Sequence, residues 1–387
     1  MLTDRDRAEL AAAADAEARG DARAAVQHYL AGLIVEESLR PHQLWEIADL
    51  GDDAPGWIYS RWCVDQAYRW MLLNQDPRTD DMVRVTLAVA HLDHAESLLE
   101  DPTALTEYGT LVAGTDWLAE QLCVYTAGGL LDFLDLRAEE GLLSRADRVR
   151  EWASAPMRVH RLEERRGAVL VVRDLVADVA SEVLDLGAFS EGDVGDHVLG
   201  RVVPISAPPH RMFDSRPVPL DPTTAEDAAA AIGRGDELGW LDAVSLAREE
   251  GRLARGFSCC QGTLWSTDLV PKPTPPHRTR DEMSGRMVEL IDAGLDPLVA
   301  NGVVVAEVAL LAAAISGDQA FCAVGPHLTA VLVDSRIFGA VRSHCTAPEH
   351  EPAWRLLATS TTSPVHERCL ELADRCRNGE AGKSSRL

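Results

Sequence analysis

The hydrophobic pattern of this chain changes from helical to strand-like in one block, Met157 to Leu220. Within that block, the runs Ala168 to Val172 and Val198 to Ile205 are rich in β-branched residues and are bounded by glycine-containing turns. Weaker strand patterns cover Val179 to Leu186 and Met212-Phe213. So few short strands bury a common face only as a small barrel or as a curled sheet against helices. The sequence therefore predicts a mainly α protein with a small β-barrel-like or curled-sheet module near its middle.

The two ends of this block set the predicted domain boundaries. Pro156 precedes the block, and Asp221-Pro222-Thr223 follows it with the signature of a helix N-terminus. We therefore expect a helical N-terminal domain over 1–155, the β module over 156–220 and a helical C-terminal domain over 221–387. Within the last of these, residues 257–279 lose periodicity, and we predict an irregular loop there.

The N-terminal residues 4–39 predict a helical hairpin that breaks at Arg19-Gly20-Asp21. Its order of Ala, Gly-Asp, Ala and Tyr is similar to one tetratricopeptide unit. A solenoid needs several stacked repeats to bury its faces, and no second unit follows in this sequence.

The charge of the chain limits its partners. The sequence has 62 acidic and 37 basic residues, a net charge of −25. Nucleic acid binding depends on clustered Lys and Arg, so we expect no nucleic acid partner. Lys272 and Lys383 are its only lysines, which leaves almost no place for Schiff-base chemistry.

We expect the protein to be cytoplasmic and without a membrane span. The first residues are charged and lack the apolar core of a secretory signal. The longest apolar stretch, Leu295 to Ile315, contains Asp296, Pro297 and Glu307, which favours a buried helix. Eight dispersed cysteines are typical of reduced thiols.

The block from Arg158 to Leu220 resembles a small β module of bacterial proteins that often accompanies a zinc-binding SEC-C segment, and we expect an actinobacterial source. The resemblance depends on the segment Leu170 to Leu175 followed by the segment Gly195 to Pro204. It covers about a sixth of the chain and implies a compact β module, without an activity or a catalytic residue. The C-terminal Cys369 and Cys376 lack the close spacing of an SEC-C zinc segment.

A predicted helix from Trp57 to Leu73 carries the best candidate ligand-binding residues. Arg61, Asp65 and Arg69 follow at intervals of four and share one face, beside aromatic residues that include Trp57. Such a face can bind an anionic or planar ligand through cation–π contacts and a forked donor. The same spacing also produces an intrahelical ion-pair ladder on the outer side of a buried helix.

Three further groups contain possible metal ligands or nucleophiles. His91 and His94 lie three residues apart on a helix, and Asp116 with Glu120 can approach from a neighbouring helix to complete a metal site. Exposed histidines near a helix end are the alternative. Cys259-Cys260 lies in the aperiodic loop. The pair contains either a reactive cysteine or two ordinary reduced thiols. Further histidines and cysteines lie at the C-terminus: His344, Cys345, His350, His366, Cys369 and Cys376. They match no zinc-finger spacing, and the last two fit one face of an amphipathic helix.

These patterns favour a non-enzymatic protein-interaction or regulatory protein that binds a protein partner and uses no cofactor. The prediction depends on the N-terminal hairpin, the acidic surface and the lack of a nucleotide-binding or nucleophile motif. The alternative is a metal-dependent or hydrolytic enzyme with its site in the helical domains, at Arg61, Asp65, His91 or His94.

Overall fold

The structure is a computed structural model, and it describes residues 3–32, 40–167, 169–185, 193–215, 217–253, 280–316, 328, 331–358 and 364–378. The described residues confirm a mainly α protein with a small barrel in the middle and helices on both sides of it in sequence. The chain forms two compact units: Met1–Ala54 with Asp268–Leu387 (unit 1), and Pro55–Thr267 (unit 2). One cut between these units lies inside the predicted N-terminal helical domain and the other inside the predicted irregular loop of 257–279. The predicted boundaries at 155/156 and 220/221 remain predictions.

The helices and strands are numbered along the chain. The helices are α1 Asp4–Ala18, α2 Ala22–Ala31, α3 Arg40–Leu50, α4 Gly56–Leu73, α5 Pro77–Ala90, α6 Leu92–Ser97, α7 Pro102–Thr115, α8 Trp117–Gln121, α9 Gly129–Leu136, α10 Glu140–Leu143, α11 Val149–Trp152, α12 Pro222–Gly233, α13 Trp240–Glu249, α14 Arg280–Asp292, α15 Pro297–Ser316, α16 Ser335–His344, α17 Glu351–Ala358 and α18 Val365–Arg377. The strands are β1 Met157–Arg166, β2 Val169–Asp174, β3 Val179–Leu184, β4 His197–Pro204, β5 Arg211–Phe213 and β6 Val218–Leu220.

Unit 1 begins with the predicted helical hairpin. Thr3 forms a capping box at the start of α1, Gly20 breaks the chain with a φ of 77°, and Asp21 caps α2. Inside the hairpin, the buried Glu17 pairs with Arg40 of α3. The predicted hairpin extends to residue 39, and its residues 33–39 lie outside the described part. Its likeness to a tetratricopeptide unit remains a prediction.

The core of unit 1 surrounds α15. This helix is apolar on all sides, and residues such as Val303, Ala306 and Leu310 are buried against α14, α16, α17 and α18. The predicted buried helix is therefore confirmed. Among the described helices, none combines the length and the apolar character needed to cross a bilayer.

The barrel of unit 2 closes through pairing between its first and fourth strands. The order is β1-β2-β3-β5-β4, β4 returns to β1, and β6 adds to β4. All these pairs are antiparallel except β3 with β5. The barrel therefore has no open edge between β1 and β4, and the chain enters and leaves it next to helices.

The two faces of β1 pack into different cores. Leu162 points into the barrel interior with Leu170, Val172 and Phe213. Met157 and Val159 instead join a core formed with α8, α12 and α13. Because β1 contributes to both cores, the barrel and these helices pack as parts of one unit. Asp221 caps α12 through the amides of Thr223 and Thr224, as the sequence predicts.

Candidate functional site

A π-helical turn connects α8 to α9. Leu122–Thr126 forms this turn, which closes with a 2.8 Å hydrogen bond from the Ala127 amide to the Leu122 carbonyl. Such insertions of one residue into a helix occur often at functional sites. Tyr125 in this turn and Gln121 just before it are both buried, and both contact Arg201 of the barrel strand β4.

Gln121 lies at the centre of a group of polar side chains between the helices and the barrel. Its amide oxygen accepts a hydrogen bond from Arg201 Nε of β4 at 2.9 Å, and its amide nitrogen donates to Asp214 Oδ2 at 3.0 Å. Arg201 also lies over the Tyr125 ring at 4.4 Å. We define the polar cluster as Arg61, Asp65, Glu120, Gln121, Tyr125, Arg201 and Asp214.

The structure brings the predicted ligand residue Arg61 into this cluster. Arg61 donates to the Phe213 carbonyl at 3.0 Å, its charge acts on Asp214, and its guanidinium lies 5.5 Å from the Trp57 ring. The Arg61 Nε–H is buried without a hydrogen bond. Asp65 and Arg69 are half-buried on the same helix. Thus Arg61 of the predicted face contacts the barrel, and whether Trp57, Arg61, Asp65 and Arg69 bind a ligand stays a prediction.

Burial controls the protonation of the cluster. Burial, followed by the charges of Asp65 and Asp214, raises the pKa of Glu120 to about 8. Its carboxyl group is deeply enclosed, although the residue as a whole keeps some exposed surface. Burial lowers the pKa of Arg61 and of Arg201, and both stay charged because arginine starts above 12. Burial also raises the pKa of the Tyr125 hydroxyl, which makes no hydrogen bond of normal geometry.

This arrangement places an uncharged acid next to two carboxylates. At neutral pH Glu120 holds its proton, whereas the charge of Asp214 acts on the guanidinium groups of Arg61 and Arg201. A protonated acid beside other acidic side chains is an arrangement that general acid catalysis can use. The same arrangement also serves a structural contact whose strength depends on one proton.

The predicted metal residue His91 lies in a different buried site. Its Nε2 hydrogen-bonds Asp116 Oδ2 at 2.8 Å and its Nδ1 hydrogen-bonds the Tyr108 hydroxyl at 2.8 Å. The alternative prediction, that this histidine is exposed near a helix end, is therefore wrong, because His91 has no exposed surface. Since both ring nitrogens have partners, His91 as placed offers neither to a metal.

The other candidate ligands that the structure describes are not brought together. The side chain of His94 and the pair Cys259-Cys260 lie outside the described residues. Cys345, Cys369 and Cys376 are buried in the apolar core of unit 1, so the amphipathic face predicted for the last two is confirmed. In the described part of the chain, no group of three His, Cys, Asp or Glu side chains is arranged to hold a metal ion.

An open groove of about 490 Å³ lies between α12 and the barrel. Arg161 and His197 line its barrel side, and Leu175 with Val176 form part of its apolar surface. The α12 side consists of Glu226, Ala229, Ala230 and Gly233. We call this the α12 groove. Burial, and then the charge of Arg161, lower the pKa of His197, so this wall carries the charge of Arg161 with a neutral imidazole at neutral pH.

No protein-family model matches this chain, and comparisons with curated proteins and with solved structures give no significant match either.

Sequence reasoning missed most of the polar cluster. Gln121, Tyr125, Arg201 and Asp214 were not candidates, because each is unremarkable in its own segment. One signal was present: Arg201 interrupts the apolar run from Val198 to Ile205. An arginine at a buried strand position requires partners, so this interruption indicates a polar contact on the covered side of the barrel.

Proposed function

We propose that this chain is a non-enzymatic, cytoplasmic protein-interaction or regulatory protein, and that the α12 groove binds a segment of a protein partner. The groove is the observation that carries the proposal. It combines an apolar surface with Glu226 on α12 and with Arg161 on the barrel, whose guanidinium also pairs with Glu163 at 3.0 Å. A polypeptide can satisfy both, since it presents apolar side chains next to carboxylates and cations.

The charges on the barrel support a protein partner rather than a nucleic acid. Small barrels that bind single strands combine aromatic platforms with available cations. Here the arginines on the outer face of β1 and β2 are engaged by acids at close range: Arg173 with Glu163 at 2.6 Å and Asp178 at 2.9 Å, and Arg166 with Glu164 at 2.6 Å and Glu182 at 2.9 Å. These pairs reduce the positive potential that phosphates need.

A substitution that fills the groove without disturbing the fold tests this proposal. A Cβ at Gly233 meets no atom within 4 Å, so Gly233→Trp places a large side chain in the groove at little cost. Gly114→Trp is the matched control, because Gly114 is also helical, exposed and without an atom within 4 Å of its added Cβ. We expect a partner that binds the wild type and the Gly114→Trp protein, but not the Gly233→Trp protein. A partner that binds all three proteins equally would exclude the groove.

The polar cluster supports a hydrolytic enzyme as the second candidate. Its specific observation is Glu120, whose raised pKa keeps a proton beside Asp65 and Asp214 at neutral pH. This candidate predicts hydrolysis of simple ester, phosphate or glycoside substrates by the wild type and loss of that activity in Asp65→Asn. Equal turnover by both proteins would exclude the cluster as the active site.

A further inference from the structure

The α12 side of the α12 groove carries a negative charge that the described residues do not balance. Glu226 is exposed on α12 and lines the groove, and within the part of the chain that the structure describes it forms no ion pair. The next residue, Asp227, is a second exposed acid. No lysine or arginine lies between Pro222 and Gly233, so the helix itself supplies no cation. This wall of the groove is therefore acidic.

The cation on the opposite wall is already paired within the barrel. The Arg161 guanidinium lies 3.0 Å from the Glu163 carboxylate, and the same carboxylate accepts a hydrogen bond from Arg173 Nε at 2.6 Å. Arg173 also pairs with Asp178 at 2.9 Å. Two guanidinium groups thus face two carboxylates on this wall. Burial lowers the pKa of His197, so its imidazole adds no charge at neutral pH.

The floor of the groove is apolar and low. Leu175 and Val176 are half-buried and pack against the core that contains α12 and α13. The α12 side consists of small residues, the buried Ala229 and the exposed Ala230 and Gly233. A partner backbone can therefore approach this helix closely. The volume of about 490 Å³ lies within the range of roughly 300–1,000 Å³ that small ligands occupy, so it fits a few side chains of a short segment.

We propose that the segment bound by the α12 groove is both apolar and cationic: a large aliphatic side chain packs on Leu175 and Val176, and an adjacent arginine or lysine pairs with Glu226. This inference rests on the proposed function of the groove and adds the charge of the partner. A carboxylate in the same place would meet Glu226, and it would have to compete with Glu163 for Arg161. The net charge of −25 also attracts a basic segment over longer distances.

Random peptides displayed on phage and selected against the full-length protein are the probe. Binders to other surfaces are removed by a first selection on Gly233→Trp, in which the new side chain occupies the groove. We expect the peptides that bind the wild type to carry arginine or lysine next to leucine, isoleucine or valine, and to contain few acidic residues.

The charge pairing is then measured with a fluorescein-labelled synthetic copy of the most enriched peptide. Fluorescence anisotropy gives its Kd for each full-length protein. Glu226→Gln keeps the shape of the side chain and removes its charge, so Kd should rise about fivefold. Asp227→Asn is the matched control, because it removes the same charge from an exposed neighbour that does not line the groove. Its Kd should stay within about twofold of the wild type.

Three results would overturn the proposal, and they differ in what they leave of the groove. If the enriched peptides are acidic and still fail to bind Gly233→Trp, the groove remains a docking site and its preference for a cation is wrong. If Glu226→Gln leaves Kd unchanged, or raises it no more than Asp227→Asn does, the pairing with Glu226 is wrong. If no peptide prefers the wild type to Gly233→Trp, both the inference and the proposed function of the groove fail.

Discussion

Acid should destabilise unit 2 through one histidine in the barrel interior. His160 of β1 is 4% exposed and lies edge-on to the Phe213 ring, with 5.4 Å between the ring centroids. Neither of its ring nitrogens makes a hydrogen bond of normal geometry. Burial lowers its pKa from 6.5 to about 4, although Asp174 and the Gly200 backbone act in the opposite direction. The folded barrel therefore contains a neutral imidazole down to about pH 4.

The sign of the pH dependence follows from this difference. As the pH falls below 6.5, the unfolded chain takes up a proton at this histidine before the folded barrel does. Proton uptake thus favours the unfolded state, and stability is lost between pH 6.5 and pH 4. A shift from 6.5 to about 4 corresponds to roughly 3 kcal/mol. That amount is a large part of the stability of an ordinary domain.

The substitution His160→Leu separates this contribution from that of the carboxylates. It removes the titrating group and keeps a side chain of similar volume. At pH 7 we expect the variant to be at least as stable as the wild type, because a buried polar group without a partner costs about 1–3 kcal/mol. Between pH 7 and pH 4 the wild type should lose about 3 kcal/mol more than the variant.

This difference is measured by urea unfolding of both proteins at several pH values. Hydrogen exchange in the barrel strands is the local probe. His344→Leu, at an exposed histidine at the end of α16, should leave the pH dependence of the barrel as in the wild type. If the wild type and His160→Leu lose the same free energy of unfolding between pH 6.5 and pH 4, the reasoning about a neutral buried ring is refuted.

Two further predictions concern packing and buried charge. Gly129→Ala should reduce the free energy of unfolding by about 1–3 kcal/mol, because the new Cβ would lie 2.2 Å from Met71 Sδ. In the control Gly114→Ala the new Cβ has open space, and the free energy of unfolding should increase by about 0.5–1 kcal/mol. Equal effects of the two substitutions in urea unfolding would contradict the packing argument. Glu17→Gln should reduce the stability of unit 1 by about 3–5 kcal/mol, since it removes the negative charge that pairs with the buried Arg40, and a loss below about 1 kcal/mol would contradict the cost of breaking this buried pair.

Local chemistry in the sequence was sufficient to predict many elements. Asp221 with Pro222 marks a helix start, because the capping carboxylate and the proline act within a few residues of each other. The run from Leu295 to Ile315 predicted a buried helix from composition alone, and α15 confirms it. The strand runs of the middle block likewise became β2 and β4.

Contacts between distant segments were not predictable in this way. Arg201 and Gln121 are 80 residues apart, and Gln121 and Asp214 are 93 apart. Nothing in the local pattern of either segment selects the other, and the π turn has no sequence signal of its own. The burial of His91 was missed for a related reason: its polarity suggests exposure, whereas Asp116 and Tyr108 satisfy both of its nitrogens inside the core.

Unit 1 is assembled from the two ends of the chain, and this affects the order of folding during synthesis. The α2 residue Leu30 packs against the core formed by α14 to α18, and Arg336 of α16 lies 5.2 Å from the Trp45 ring of α3. Helices α1 to α3 therefore wait for partners that are translated only after unit 2. A nascent chain stalled after unit 2 should show a folded barrel and an N-terminal hairpin that a chaperone or a protease can still reach.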